Sequence, residues 1–317
     1  MQKNFVLRLD LSQQSVSILL LGITSCALCS CDTRTFFQKV PGSDTEVSSS
    51  SDITAAANQD GSSGGMPVDP TRVVCDPFGG DKTSGNSRNG LLGKLFYLAT
   101  PGDRCARVAT CQSKGTSPDL DLYFSQLNVP TRAFDQGFSN QEGSTLTNAR
   151  GEVLIEWFSL HFDSVIRLKA GDHPGKYQFA LAADDGAIMQ VGEPGLATHS
   201  PSSSAAGSSN VFKTLIDNDG THATRFKCAT QSVRLESGTE LPIKVDYYQG
   251  PRYHIALVLL WREIPENVNE LVHPEVLRDA ACDQGVDSAH GWKVVDPDNF
   301  QLPKKAGVNP CVDVQAP

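Results

Sequence analysis

Two adjacent aspartates, Asp184 and Asp185, precede Gly186 between two stretches that alternate like β-strands. An Asp-Gly pair between such strands is a strong hairpin signal, and the preceding Asp can be a solvated turn residue. The other interpretation is a site that needs both charges. A glycosidase does not fit, because its two carboxyl groups must lie about 5 Å or more apart across the scissile bond. The pair therefore indicates either a turn or a binding site.

A second group of oxygen donors occurs in the segment Asp217-Asn218-Asp219-Gly220. Their spacing is similar to that of a calcium-binding loop without its distal Glu. An Asx turn is the simpler interpretation of the same residues. Asp217, Asn218 and Asp219 are thus a secondary metal-binding candidate.

Composition and motifs exclude several classes of function. The 317 residues carry a net charge of −9, and we find no basic run with interleaved aromatic residues, so nucleic acid is not an expected partner. The sequence lacks a Gly-x-Ser-x-Gly elbow, a His-Glu-x-x-His motif and a glycine-rich phosphate loop, and its histidines are spread singly. We therefore predict that the protein is not an enzyme.

Residues 1–25 have the features of a secretory signal peptide. A weakly basic start precedes an apolar run, 16–25, which is shorter than the roughly 20 residues that span a bilayer. The run ends in Ile-Thr-Ser-Cys26, which resembles the bacterial lipobox, and Cys31 is the alternative acylation site. The sequence predicts a palmitate-bearing bacterial lipoprotein, anchored to the cell membrane or outer membrane and facing the periplasm or the exterior.

Cysteine usage also indicates export. Six of the nine cysteines lie beyond the signal region without metal-type spacing, which is typical of three disulfides formed in an oxidising compartment. Cys105 and Cys111 close a short polar loop, and they form the one pair that we predict. The pairing of the other four stays open: Cys75, Cys228, Cys282 and Cys311.

The remainder of the chain divides into three parts. Residues 26–75 hold the acylated cysteine and a Ser/Gly-rich stretch almost without large apolar side chains, so they predict a flexible linker. Residues 90–264 contain many short strand-like runs and no amphipathic helix of four turns, which predicts an all-β antiparallel barrel or sandwich. Residues 265–317 predict a disulfide-fastened extension, irregular apart from a short helix at 274–282.

The alternation is clearest before the aspartate pair, where Tyr177, Phe179 and Leu181 fall on one face of a predicted strand, 175–183. Residues 118–127 predict either a short helix or an extended segment. The other predicted strands are 92–98, 152–158, 160–168, 187–191, 232–235, 241–248 and 253–261.

Three motifs occur in one order: GKYQFALAADDG from Gly175, VRLESG from Val233, and LPIKVDYYQG from Leu241, which is followed by IALVLLW. Together they resemble the protective-antigen-type domain (the PA-fourteen domain), a β-barrel or sandwich module of bacterial toxins, yeast surface adhesins and some glycosidases. WFSLHF from Trp157 is similar to a further block of that family. The resemblance covers residues 90–264 and implies the same all-β fold.

The adhesin branch of this family also implies a role for the aspartate pair. The resemblance implies that a cis peptide bond joins Asp184 to Asp185, and that both carboxylates bind one Ca²⁺ ion that also holds sugar hydroxyls. Neighbouring side chains of a regular strand point to opposite faces, so a trans pair could not converge on one ion. Asp184, Asp185 and Gly186 are therefore the implied ligand-binding residues, while the insertion 193–210 leaves the sugar undefined.

The implied function is non-catalytic carbohydrate binding at the cell envelope, dependent on Ca²⁺. The expected partners are a glycan or another envelope surface component, and the membrane through the lipid anchor. The alternative is a structural or protein–protein interaction module of the envelope that uses the same fold without a metal or sugar site.

Overall fold

The structure is a computed structural model that describes residues 69–78, 87–100, 102–192, 211–251, 254–277, 282 and 290–312. All of them belong to one unit, Ser62–Pro317. The predicted signal peptide, Cys26, Cys31, most of the predicted linker and the insertion 193–210 lie outside the described residues. No helix in the described part of the chain is long and apolar enough to cross a membrane.

Short strands dominate the described residues. The helical elements whose bounds the described residues give are the α-helix α1 (Val108–Lys114) and 3-10 turns at Pro70–Arg72, Pro274–Leu277 and Pro297–Asn299. The strands are β1 (Val73–Cys75), β2 (Leu91–Tyr97), β3 (Asp121–Phe124), β4 (Asn128–Arg132), β5 (Phe158–Ile166), β6 (Gly175–Asp184), β7 (Ala187–Gly192), β8 (Phe212–Asn218), β9 (Arg225–Cys228), β10 (Val233–Leu235), β11 (Leu241–Gln249), β12 (Ile255–Ile264), β13 (Lys293–Val294) and β14 (Phe300–Gln301).

The strands form two sheets. The first runs β1-β3-β2-β5-β11-β7-β8, with β14 beside β5, and the second runs β10-β6-β12-β13, with β4 beside β12 and β9 beside β6. Every pairing is antiparallel except that of β1 with β3. The predicted all-β antiparallel fold is confirmed, in its sandwich form.

The inner faces of the two sheets enclose one large apolar core. Tyr177, Phe179 and Leu181 of β6 are buried in it, as the alternation predicts, and Trp261 of β12 lies against them. The rings of Tyr177 and Trp261 are 4.7 Å apart between centroids. Burial of a large apolar side chain contributes about 1.5 to 3 kcal/mol, so these side chains stabilise the packing of the second sheet against the first.

The outer face of β6 is also buried, because C-terminal residues cover it. Gln178 donates hydrogen bonds of 2.8 Å to the carbonyls of Ala229 and Leu277, and Trp292 and Cys282 pack in a small apolar cluster on the same side. The extension is less irregular than predicted, since β13 pairs with β12 and β14 pairs with β5.

Several predicted elements differ from the structure. Residues 152–157 are not a strand, because Trp157 has a left-handed φ of 60° and β5 begins only at Phe158. Residues 118–127 are extended around β3. Of the predicted helix 274–282, Pro274–Leu277 form a 3-10 turn, Cys282 is helical, and 278–281 lie outside the described residues. The elements β1, β4, β8, β9 and α1 were not predicted, and β1 lies within the predicted linker 26–75.

Three disulfides occur among the described residues. Cys105 pairs with Cys111, which confirms the predicted bond. The other two join Cys75 to Cys311 and Cys228 to Cys282. The C-terminal residues are therefore bonded covalently to both the second sheet, through β9, and the edge of the first sheet, through β1.

Candidate functional site

The segment Asp184-Asp185-Gly186 connects the two sheets at one end of the sandwich. Asp184 pairs with Ala256 of β12 in the second sheet, whereas Ala187 pairs with Tyr247 of β11 in the first. The hairpin interpretation is therefore wrong, because β6 and β7 are not paired with each other. The peptide bond between Asp184 and Asp185 is cis.

The carboxylate of Asp185 points inward and is only 4% exposed. Its Oδ2 accepts a hydrogen bond of 2.7 Å from the Gly250 N–H, and its Oδ1 accepts one of 3.1 Å from the His222 N–H. Burial raises the pKa of Asp185, and the neighbouring charge of Asp184 raises it further, against the lowering effect of the two N–H donors. The carboxylate of Asp185 is thus desolvated, and its hydrogen bonds come from main-chain N–H groups alone.

Asp184 lies beside it and is partly exposed. Its Oδ2 accepts a hydrogen bond of 3.1 Å from the Thr224 hydroxyl, and its main-chain carbonyl accepts one from the phenol of Tyr247. That tyrosine is buried, and its pKa is raised well above the usual value by burial and by the charges of Asp185 and Asp184. The phenol therefore keeps its proton and remains a donor at this junction.

Gly186 allows the loop 217–222 to lie directly against the junction. A Cβ atom at this position would be 2.6 Å from Cε1 of Tyr248, 2.7 Å from Oδ1 of Asp219 and 2.8 Å from the nitrogen of Gly220. Gly250 makes a similar close approach, since a Cβ there would be 2.7 Å from Oδ2 of Asp185. Two glycines thus bring backbone into contact with the acidic residues.

The secondary candidates do not converge with one another. Asp217 is exposed, and its Oδ1 accepts a hydrogen bond from the Asp219 N–H, which is the Asx turn of the simpler interpretation. Asn218 is buried, and its amide oxygen accepts a hydrogen bond from Arg225. Asp219 alone reaches the junction, where its Oδ1 accepts hydrogen bonds from the N–H groups of Val108 and Gly220.

The acidic residues at the junction therefore supply two adjacent carboxylates and a third close by. No group of three His, Cys, Asp or Glu side chains is arranged to hold a metal ion in the described ranges. A cation bound by Asp184 and Asp185 would need further oxygen ligands from the main chain, water or a bound molecule. Sequence reasoning missed Thr224 and Gly250 as partners of the pair, because neither residue belongs to a metal-binding motif.

A second titratable cluster lies on the outer face of the first sheet. Nδ1 of His161 is 2.7 Å from Oδ1 of Asp246, and its Nε2 is 3.1 Å from Oδ2 of Asp163. Gln112 of α1 donates a hydrogen bond of 2.7 Å to the same oxygen of Asp246. Burial lowers the pKa of His161, but its hydrogen bonds and charge interactions with the two aspartates outweigh that effect and raise it to about 9.

This cluster predicts a pH-dependent contribution to stability. The folded-state pKa of about 9 exceeds the ordinary value of 6.5, so the contribution is fully present below 6.5 and is lost as the pH rises through 9. We expect His161→Gln to lower the free energy of unfolding by about 2 kcal/mol near pH 6, and by much less near pH 10. Urea unfolding at the two pH values measures this difference.

His273→Gln is the matched control, because His273 and its partner Glu275 are both largely exposed. We expect this variant to change the free energy of unfolding by less than about 0.5 kcal/mol at either pH. An equal loss of stability for His161→Gln at both pH values would contradict the assignment of a charged imidazolium.

Comparisons with known proteins give fold neighbours of low identity. No protein-family model matches the sequence, and no curated protein matches it. Among solved structures, a PA14 sugar-binding domain from an RTX adhesin is 15% identical, with 68% of this chain and 99% of that one covered and a TM-score of 0.40. The PA14 domain of the MpAFP antifreeze protein is 11% identical, with 72% and 99% covered and a TM-score of 0.37.

The Epithelial Adhesin 6 A domain from Candida glabrata, solved in complex with Galb1-3GlcNAc, is 14% identical, with 62% of this chain and 86% of that one covered and a TM-score of 0.35. At these identities no residue role is carried over from the neighbours. The RTX adhesin and antifreeze domains are of the protective-antigen type that the sequence motifs resemble.

Proposed function

We propose that the protein binds carbohydrate without catalysis, through a Ca²⁺ ion held by Asp184 and Asp185. The observation that carries this proposal is the buried carboxylate of Asp185 beside that of Asp184. Neither carboxylate makes an ion pair with a described basic side chain, and Asp185 is satisfied only by main-chain N–H groups. A desolvated negative charge without a cationic partner is costly, so a bound cation would stabilise it.

The donor chemistry fits Ca²⁺. This ion prefers oxygen ligands, takes about six to eight of them, and accepts carboxylates together with carbonyls, hydroxyls and water. Asp184 and Asp185 would supply the charged ligands, and Asp219 adds negative charge at the edge of Gly186. Because these side chains do not complete a coordination shell, vicinal hydroxyls of a sugar could supply part of it. The resemblance to the adhesin branch supports the same assignment.

Calorimetry with Ca²⁺ and a glycan array test this function. We expect the full-length protein to take up Ca²⁺ and to bind glycan only in its presence. Asp184→Asn, which leaves the buried Asp185 in place, should weaken Ca²⁺ binding at least about tenfold, and the double variant with Asp185→Asn should abolish it. Asp121→Asn is the control, because Asp121 is an exposed carboxylate on β3.

The reverse result would favour the alternative function. If the folded wild-type protein takes up no Ca²⁺ at millimolar concentration and shows no glycan binding, the sandwich is better described as a structural or protein-interaction module. Circular dichroism and thermal unfolding of each variant show whether a loss of binding is due to misfolding.

We also propose that the protein acts at the bacterial cell envelope as a lipid-anchored lipoprotein. The three disulfides support an oxidising compartment outside the cytoplasm. We expect labelled palmitate to be incorporated into the wild type and Cys31→Ala but not into Cys26→Ala. Label that survives Cys26→Ala and is lost in Cys31→Ala would move the anchor to Cys31, and a wild type without label would exclude the lipid anchor.

A further inference from the structure

An arginine lies on the ring of a tryptophan whose main chain is linked to the aspartate pair through Gly250. The guanidinium carbon of Arg104 is 4.4 Å from the centroid of the Trp157 ring, which is a cation–π contact. Among the described residues Arg104 makes no ion pair, and its hydrogen bond is a donation of 2.8 Å to the carbonyl of Asp103. Because a guanidinium carries several N–H donors in a planar fork, most of its donor capacity is available to a ligand.

The main chain fixes the position of this tryptophan. Trp157 has a φ of 60°, and it is the one non-glycine residue with a positive φ in the described part of the chain. Its carbonyl accepts a hydrogen bond of 3.0 Å from Leu98, and its ring packs on a cluster that includes Tyr248 and the Cys105–Cys111 disulfide. Left-handed non-glycine residues are strained, and they are concentrated at functional sites such as ligand-binding sites.

One residue connects the stacked pair to the carboxylates. The N–H of Gly250 donates a hydrogen bond of 2.7 Å to Oδ2 of Asp185, and its carbonyl accepts one of 3.4 Å from the Trp157 N–H. The Trp157 main chain and the buried carboxylate of Asp185 therefore hydrogen-bond to the same residue. Gly250 thus places the main chain of Trp157, whose ring carries Arg104, beside the aspartate pair.

A second arginine of the same segment also reaches the rim of the site. Arg107 has a side chain that is 63% exposed, and its Nη1 is 3.9 Å from Oδ2 of Asp219. Cys105 lies between the two arginines in the sequence, and its disulfide bond with Cys111 constrains this segment. Arg107 thus lies beside one carboxylate of the junction, and positive charge in this segment opposes the repulsion that the carboxylates alone would exert on an anionic ligand.

We propose that Arg104, supported by Trp157, forms a subsite for the carboxylate of an acidic sugar, so that the ligand of this site is a uronate-containing glycan. This inference rests on the proposed carbohydrate-binding function and names its substrate class. The planar fork of Arg104 matches the two oxygens of a carboxylate, and stacking on the indole holds the fork in place before the ligand arrives. Trp157 is a positioning residue, since it acts through Arg104.

Matched neutral and acidic probes test the subsite. We use oligosaccharides that end in galactose or in galacturonate, and we measure both dissociation constants with the full-length protein in Ca²⁺. The wild type is expected to bind the galacturonate probe at least about tenfold more tightly. Arg104→Gln should remove that preference without changing the affinity for the galactose probe. Arg104→Lys should restore only part of it, because an ammonium group lacks the planar fork.

Two further variants separate positioning from folding. Trp157→Phe keeps an aromatic ring, and it should weaken binding of the galacturonate probe about threefold while leaving the galactose probe unaffected. Arg150→Gln is the control for a lost surface charge, since Arg150 is an exposed residue paired with the exposed Glu152. We expect that variant to bind both probes like the wild type.

The outcomes distinguish this inference from the function on which it rests. Equal affinity of the wild type for both probes, or an equal effect of Arg104→Gln on both, would overturn the acidic-sugar subsite and leave carbohydrate binding intact. Binding of neither probe, together with no glycan bound on the array, would overturn both. Selective loss of the galacturonate preference in Arg104→Gln supports both.

Discussion

Gly186→Ala is expected to lower the free energy of unfolding by about 3 kcal/mol and to abolish the glycan binding that we propose. The added methyl group would meet the Tyr248 ring, the Asp219 carboxylate and the backbone nitrogen of Gly220, all at 2.8 Å or less. A backbone atom cannot move aside as a flexible side chain can, so the loop 217–222 has to shift away from the junction. That shift would also remove the N–H of His222 from Asp185.

Gly192→Ala is the matched control, because Gly192 lies at the other end of the same strand, β7. A Cβ there would have its nearest contacts with Pro242 at 3.4 to 3.5 Å, which is ordinary van der Waals distance. We expect its free energy of unfolding to change by less than about 1 kcal/mol. Urea unfolding and binding to the glycan array measure both variants, and similar behaviour of the two would show that the junction tolerates a side chain.

The strands that carry the core could be predicted from sequence because their alternation is regular. Tyr177, Phe179 and Leu181 face the core of the sandwich, and β11 and β12 are close to the predicted bounds. Strand β8 does not alternate in this way. Its adjacent Leu215 and Ile216 are both buried, and its pairing with β7 shifts register between Met189 and Gln190. A pattern search of period two misses such a strand.

The connection at Asp184 and Asp185 shows why local sequence does not determine strand pairing. An aspartate followed by glycine suits a hairpin, and it suits equally a connection between two sheets. The choice depends on the partners of the flanking strands. Strand β12 pairs with β6 from Ala256 to Ile264, and β11 pairs with β7, so the chain crosses from one sheet to the other at this point.

The candidate site was predicted only where its residues are adjacent in sequence. Asp184, Asp185 and Gly186 form one motif, and the resemblance gave them a role. Arg104 and Trp157 are far from this motif in the chain. The register of β5 with β11 brings Trp157 to Gly250, and Arg104 lies on the ring of Trp157. Tertiary pairing of this kind leaves no local signal.

Removing the Cys75–Cys311 disulfide is expected to have the largest effect on stability. This bond joins β1, at the edge of the first sheet, to the C-terminal segment over a separation of 236 residues. Loss of such a long loop constraint from the unfolded chain corresponds to about 5 kcal/mol, against about 2 kcal/mol for a ring as short as that of Cys105–Cys111. Cys75→Ala with Cys311→Ala should therefore destabilise the domain far more than Cys105→Ala with Cys111→Ala.

Urea unfolding of the oxidised proteins measures which double variant is destabilised more. Wild-type protein treated with a reductant is the control, because it loses the constraint of every disulfide at once. The longer-loop variant should also have a larger m-value, since its unfolded chain exposes more surface. Equal destabilisation by the two double variants would mean that packing around each cystine, and not loop closure, sets its contribution. The two explanations predict opposite orders. Cys105 and Cys111 are the more buried pair, so if packing sets the contribution, their removal should cost more stability. If loop closure sets it, removal of Cys75 and Cys311 should cost more.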